Sequence, residues 1–180
     1  MLDAARELFN RAGYEGFTMR KLAQLMEYSP GNIYLYFKDK NEIFDCLVEE
    51  SFSSLLRALP QPSGAKNEDP VALLKRSLKT YVNFGLSHPN HYSFAFLFRP
   101  ADRPRPHKQR PAYESLLLKV RLCIEKRKFK TTDVDLTAQA LWAAAHGVTS
   151  LLLQRPAFPW VARDRLIQRV IDSAVDSLLF

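Results

Sequence analysis

An all-α fold of about nine helices is predicted for this chain of 180 residues. Three observations predict it. Apolar residues recur at spacings of three and four through most of the sequence, the period of a helix with one buried face. Prolines stand between these stretches rather than inside them. Only 6 glycines are present, which disfavours a glycine-rich nucleotide-binding fold. The 47% hydrophobic content is enough for a core and argues against disorder.

The elements follow in order. Leu2, Ala5, Leu8, Phe9 and Ala12 mark an amphipathic helix over 2–12, ended by Gly13 as a residue able to take positive φ. The pattern begins at residue 2 with no cap before it. The helix, and a basic arm ahead of it, are therefore expected to start upstream of this sequence. Gly16-Phe17 forms a turn, and Thr18 caps a second helix, 19–26. After Glu27-Tyr28, Ser29 caps a third, very short helix with Pro30 at its first position, where a missing N–H costs little. It runs to Tyr36-Phe37. Asp39 to Glu42 matches a capping box and opens a long helix to about 59, with Ile43, Phe44, Leu47, Val48 and Phe52 inward.

Residues 60–69 read as an exposed loop. A helix over 70–87 follows, with Val71, Leu74, Leu78, Tyr81 and Val82 on one face. His88-Pro89 breaks it and opens another, to about Phe98. Arg99 to Arg110 is a basic loop whose prolines forbid a long helix. Helices are then expected over roughly 111–129, from Thr132 to about Gln154, and from about 160 to 180. Two domains result, 1–50 (its fourth helix continuing to about 59) and 60–180.

Charge excludes less than its total implies. The net charge is +7, yet residues 1–59 hold 7 Lys and Arg against 9 Asp and Glu. Most of the basic excess lies in 99–130, with 11 basic and 3 acidic residues. Overall basicity therefore does not point to the N-terminal part as a nucleic-acid surface. Cys46 and Cys123 fit no disulfide or zinc-module spacing. No run of ~18 uninterrupted apolar residues occurs, so no membrane span is expected. No signal-peptide pattern precedes Arg6, and a soluble, cytoplasmic protein is expected. His88 and His91 are spaced as a metal pair, but no neighbouring carboxylate or Cys completes a site. No cofactor or metal is expected.

Two short helices in succession, the second opening Ser-Pro-Gly-Asn, form a helix-turn-helix pattern. The string from Phe17 to Ala23, with Ser29-Pro30-Gly31-Asn32-Ile33-Tyr34-Leu35-Tyr36-Phe37-Lys38-Asp39-Lys40-Asn41-Glu42-Ile43-Phe44, resembles the DNA-binding domain of the TetR family of tetracycline-repressor-like regulators. The resemblance covers residues 2 to about 50. One departure stands at Met26-Glu27-Tyr28, where family members usually carry Ala-Gly-Val. Glu27 must then tolerate the backbone of the turn. Further on, Trp142-Ala143-Ala144-Ala145-His146-Gly147 resembles the Trp-x-x-x-His-Gly string that names one C-terminal domain class of that family.

The resemblance implies an N-terminal helix-turn-helix domain and a helical ligand-binding and dimerisation domain. It implies a repressor released from a palindromic operator by a small-molecule inducer. Pro30, Gly31 and Asn32 would meet the major groove, Asn32 with a bidentate contact to adenine. Tyr34 and Tyr36 would offer hydroxyls to phosphates, as the family's matching positions do. Lys40 and Thr18 suit phosphates, and Arg20 and Lys21 a phosphate or a base edge. Thr18 and Ser29 are helix caps on either reading.

The ligand would lie among Tyr81, Phe84, His91, Phe94, Tyr113, Trp142 and His146, with His88, Tyr92, Phe96 and Phe98 adding to the aromatic surplus. An aromatic core without a cavity is the alternative, with His146 a hydrogen-bonded core histidine one turn from Trp142. A homodimer would form through the last two helices. Leu166, Val170, Ala174 and Leu178 make one row of the final helix, and Ile167, Ile171, Val175 and Leu179 the adjacent one. A helical adaptor without DNA binding and an enzyme are the remaining classes. No GxGxxG, GxxxxGK, HExxH or GxSxG string supports the latter.

Overall fold

The computed structural model describes residues 1–64, 68–97 and 110–180. Among the described residues there are nine α-helices: α1 (Leu2–Gly16), α2 (Met19–Leu25), α3 (Pro30–Tyr34), α4 (Lys40–Ala58), α5 (Pro70–Ser87), α6 (Pro89–Tyr92), α7 (Arg110–Glu125), α8 (Val134–Gln154) and α9 (Arg163–Asp176). A π-helical turn, Ser93–Leu97, continues α6. Phe98 and the basic segment 99–109 lie outside the described residues, as do 65–67.

Local chemistry sets most of the boundaries. Gly13 takes φ 69° inside α1 and kinks it. Thr18, Ser29, Asp69 and Asp133 each accept a backbone N–H at the start of their helices. Asp39 accepts from the N–H groups of Asn41 at 2.7 Å and Glu42 at 3.0 Å. Glu42 reaches back to the N–H of Lys38 at 2.6 Å, one residue beyond the expected capping-box partner. The hydrogen bonds from Glu42 and Asn41 outweigh partial burial and hold the Asp39 carboxyl below its usual 3.8.

Helix α1 runs past its kink to Gly16, α3 stops at Tyr34 rather than Phe37, and α7 and α9 also end short of the expectation. Helix α7 stops at Glu125 rather than 129, because Arg127 turns to φ 52° and Lys128 N–H bonds Cys123 O at 2.9 Å. That is a Schellman motif without glycine. Helix α9 stops at Asp176, and Lys130 N–H bonds Leu178 O at 2.9 Å.

The chain divides into two units, Met1–Ser53 with Asn90–Gln109, and Ser54–Pro89 with Arg110–Phe180. The expected domain boundary placed all of 60–180 together, whereas in this division Asn90–Gln109 groups with the N-terminal helices. The reason is one aromatic cluster in the first unit. Phe9 and Phe17 stack with ring centres 3.8 Å apart, and Phe44 meets Phe9 edge-on at 5.6 Å. Phe94, from the π turn, completes the group at 5.7 Å from Phe9 and 5.6 Å from Phe44.

In the second unit α8 packs against α5, α7 and α9. By length and composition α8 could cross a membrane; here it is the central helix of that unit. One of the two rows of α9, Ile167, Ile171 and Val175, is buried in the core. Lys75 of α5 holds Asp176 at 2.6 Å and Asp172 at 2.9 Å on α9. Burial opposes the Lys75 charge, but the two carboxylates outweigh it and raise its pKa above 10.5. Hydrogen bonds from Gln168 and then Lys75 lower that of Asp172.

The stabilisation from this pair is therefore present above the ordinary Asp value and lost as pH falls through the lowered one. At the alkaline end it is lost as pH rises through the raised Lys75 value. Lys75→Met should lower the thermal midpoint by a constant amount across neutral pH. That gap should close below about pH 4 in a pH series of thermal melts.

Candidate nucleic-acid interface

Helices α2 and α3 hold 7 and 5 residues, too few to persist alone. They are fixed through what they bury. Leu22, Ala23 and Ile33 are inaccessible or nearly so. With Ile33 turned inward, the rest of α3 faces out: Pro30, Gly31, Asn32 and Tyr34 are exposed. The residues just after it follow, Leu35 at 80% and Tyr36 at 68% exposure. Leu35 received no role from the sequence. Its signal was available, an apolar residue out of phase with buried Ile33.

The turn between α2 and α3 is the second Schellman motif. Tyr28 N–H bonds Ala23 O at 2.9 Å, Glu27 N–H bonds Gln24 O at 3.2 Å, and Glu27 sits at φ 57°. The turn therefore keeps the left-handed geometry that a glycine would adopt freely, and Glu27 bears its strain.

Gly31 is a different case. A Cβ there would meet only Ser29 Oγ, at 3.8 Å, which is ordinary contact. The fold does not require glycine at this helical position, where alanine would be better by about 1 kcal/mol.

The expected cations divide. Arg20 is exposed. Lys21 donates to Gly16 O at 2.8 Å, at the end of α1, and its N–H donates to Thr18 Oγ1 at 3.1 Å. Lys40 is half-buried: its Nζ lies 4.3 Å from the Tyr14 ring centre, donates to Tyr14 O at 3.2 Å and stands 3.9 Å from Glu15. Tyr14 in turn bonds Asn41. Lys40 thus ties α1 to the start of α4.

The expected ligand cluster does not assemble as one group. Trp142 Nε1 donates to Tyr81 Oη at 3.2 Å, and Tyr81 Oη lies 3.1 Å from His146 Nδ1. An indole can only donate, so Tyr81 Oη accepts from Trp142. On the other side of the imidazole, Nε2 lies 3.3 Å from Ser150 Oγ. Tyr113 joins them, its ring 6.1 Å from that of Trp142.

Phe84 stacks on His88 instead, at 5.0 Å. His91 lies 3.4 Å from Ser51 in the first unit, and Phe94 is in that unit's core. Of the further aromatics, Phe96 faces Phe52 and Tyr92 in the first unit as well. Phe94 and Phe96 lie on the π turn, within the stretch to Phe98 that was expected to continue as a helix after Pro89.

Family models match both parts of the chain. Residues 1–47 match bacterial regulatory proteins of the tetR family, and residues 74–178 a tetracyclin repressor-like C-terminal domain. The chain belongs to the TetR family.

A similar curated protein is an uncharacterized HTH-type transcriptional regulator, YhgD of Bacillus subtilis. It is 32% identical over 91 residues, 49% of this chain and 46% of that protein. The chain thus aligns with about half or less of the length of the curated relatives it matches. A protein of unknown function from Rhodococcus sp. RHA1 has the same fold, with TM-score 0.79 and 19% identity over 99% of this chain and 93% of that one. So does the TetR family regulator PfmR of Thermus thermophilus, with TM-score 0.74 and 21% identity over 97% and 96%.

Two substitutions test this part of the TetR-family chain. Glu27→Gly should stabilise by about 1 kcal/mol in urea titration, because it removes a left-handed non-glycine residue without removing a contact of the core. Phe94→Ala should destabilise the first unit by about 3–5 kcal/mol, and hydrogen exchange should report the loss in α1 and α4.

Proposed function

We propose that the chain is a cytoplasmic homodimeric transcriptional repressor that leaves a palindromic operator when a small molecule binds. The observation that carries the DNA reading is the outward edge of α3. Pro30, Gly31, Asn32, Tyr34, Leu35 and Tyr36 stand on one short segment whose inward residue, Ile33, is wholly buried. Asn32 has the donor and acceptor geometry for adenine, Gly31 permits close approach, and Leu35 suits a thymine methyl. Arg20, Lys21, Thr18 and the two tyrosines supply phosphate contacts around it. Lys40 contributes by tying the start of α4 to α1 beside this surface. The first 59 residues carry no net positive charge, so affinity rests on placed donors rather than on a broad basic field.

Dimerisation is supported by two half-open rows. Leu166, Val170 and Ala174 on α9 and Leu178 just beyond it are only partly covered, while Ile167, Ile171 and Val175 of the adjacent row are buried. On α8, Leu136, Ala140, Ala143 and Leu151 are exposed and Gly147 lies among them. A Cβ at Gly147 would meet nothing within 4 Å, so a mid-helix glycine is kept there without an internal reason. A partner helix approaching closely supplies one. Ligand response is supported by the Trp142–Tyr81–His146–Ser150 chain, a set of aligned polar groups in an otherwise apolar helical unit.

The experiment is selection of bound duplexes from a random pool, followed by binding titrations on the best one. Asn32→Ala should weaken binding by about 1–3 kcal/mol and relax the preference at one base position. Gly31→Ala should fold at least as stably and still bind more weakly. Equal binding by both variants would refute the interface. Gly147→Leu and Val170→Arg should each give a folded monomer by light scattering; a dimer in both would refute the α8–α9 association.

A further inference from the structure

Helix α8 buries one side and leaves an apolar face open on another. Ala138, Leu141, Ala145 and Leu152 are in the core of the second unit. Leu136, Ala140, Ala143, Gly147 and Leu151 follow at spacings of three and four, so they share one face of the helix. Its two large residues are well exposed, Leu136 at 66% and Leu151 at 51%.

The order of residues along this face reads alike from both ends. Leu136 lies as far before the midpoint between Ala143 and Ala144 as Leu151 lies after it. Ala140 and Gly147 are placed about that midpoint in the same way. Only the charges at the ends differ. Asp133, three before Leu136, caps the helix, and Arg155, four after Leu151, follows its last turn. Both are exposed on the same side as the leucines. The face is therefore complementary to a reversed copy of itself.

Charge decides the orientation. A two-fold axis running along α8 would set each residue against its own copy, Asp133 on Asp133 and Arg155 on Arg155. A two-fold axis across the helix at the midpoint reverses the second helix. It sets Asp133 near the partner's Arg155, Leu136 on the partner's Leu151 and Ala140 on the partner's Gly147. Such a contact is isologous, every pair occurring twice. The leucines stand about 22 Å apart along the helix, so one reversed helix covers both ends at once. For both leucine pairs to touch, the two helices must cross at a shallow angle of about 20°, since at about 50° their ends would part.

We infer that α8 packs antiparallel on α8 of a second copy of this chain, with the two-fold axis between Ala143 and Ala144. This rests on the reading of the chain as a homodimer and fixes the orientation and register of that dimer. Opposite charges at the two ends reject the parallel pairing, and the leucines reject a slipped one.

The test uses the full chain with cysteine substitutions, and the parent, which carries Cys46 and Cys123, is the control. Light scattering reads the oligomeric state, and circular dichroism checks that each variant is folded. The double variant Leu136→Cys, Leu151→Cys should give a covalent dimer with a short bismaleimide. Each single variant should stay at the yield of the parent. Ala143→Cys, beside the axis, should link to its own copy by oxidation alone. Leu136→Glu and Leu151→Lys should each raise the dimer dissociation constant by about tenfold or more, and the two in one chain should restore it to within about threefold of the parent. In a parallel pair that double variant would be the weakest of the three, because each charge would meet its own kind.

A dimeric parent whose double cysteine variant links no better than the single ones overturns the register and leaves the homodimer. Linking by Leu136→Cys alone, or a charge pair that fails to rescue, does the same. A parent that scatters as a monomer at micromolar concentration leaves the face to a different chain and removes the homodimer together with its register.

Discussion

The stacked pair Phe9 and Phe17, closed by Phe44 and Phe94, is the interaction on which the first unit depends. Helices of 7 and 5 residues have no stability of their own, so the recognition segment is only as well placed as the core beneath it. Large rings supply that core cheaply in conformational entropy, since each has two side-chain torsions and a large apolar area. They also set the polarity of α3. Once Ile33 is committed to the interior, the helical period leaves Pro30, Gly31, Asn32 and Tyr34 on the outside. The outward set is thus a by-product of where the core lies.

The same cluster explains the form of the domain. A bundle of three helices and the beginning of a fourth leaves one side of Phe9 and Phe44 without an aromatic neighbour. The chain fills it with Phe94, which returns from 50 residues beyond Phe44. A π turn at Ser93–Leu97 aims that ring. Wide turns of this kind are uncommon and recur at functional positions. Here the turn makes a residue from the middle of the sequence part of the N-terminal core, and His91 beside Ser51 lies in the same segment.

The second unit is organised on the opposite principle. Its helices have ample apolar surface, and its informative residues are the polar ones that remain inside. The Trp142–Tyr81–His146 contacts tie together three side chains from two helices. Tyr113 Oη is buried without a hydrogen-bond partner, and the Lys119 ammonium is satisfied only within its own helix, by Ser115. Lys75 shows the contrast: at the edge of α5 its charge has two carboxylates, and it serves stability.

Much was legible from the sequence by itself. Caps, proline positions and the kink at Gly13 were readable because they are chemistry between residues at most four apart. The strained turn at Glu27 was readable for the same reason, as a left-handed position lacking its glycine. The recognition segment was legible because a dense local string specifies it.

Tertiary structure decided what depends on distant partners. The glycine-free end of α7 at Arg127 needed its Schellman bonds to be seen. Phe94 and His91 read as neighbours of Tyr81, because sequence proximity was the available guide, and the π turn sends them elsewhere. The two rows of α9 were visible as a wide stripe, but only packing chose Ile167, Ile171 and Val175 for the interior. Lys119 stood among 11 basic residues of a stretch that reads as solvated surface. Burial is a property of the whole fold, and it separates that lysine from Arg121, Lys126, Arg127, Lys128 and Lys130, which are exposed.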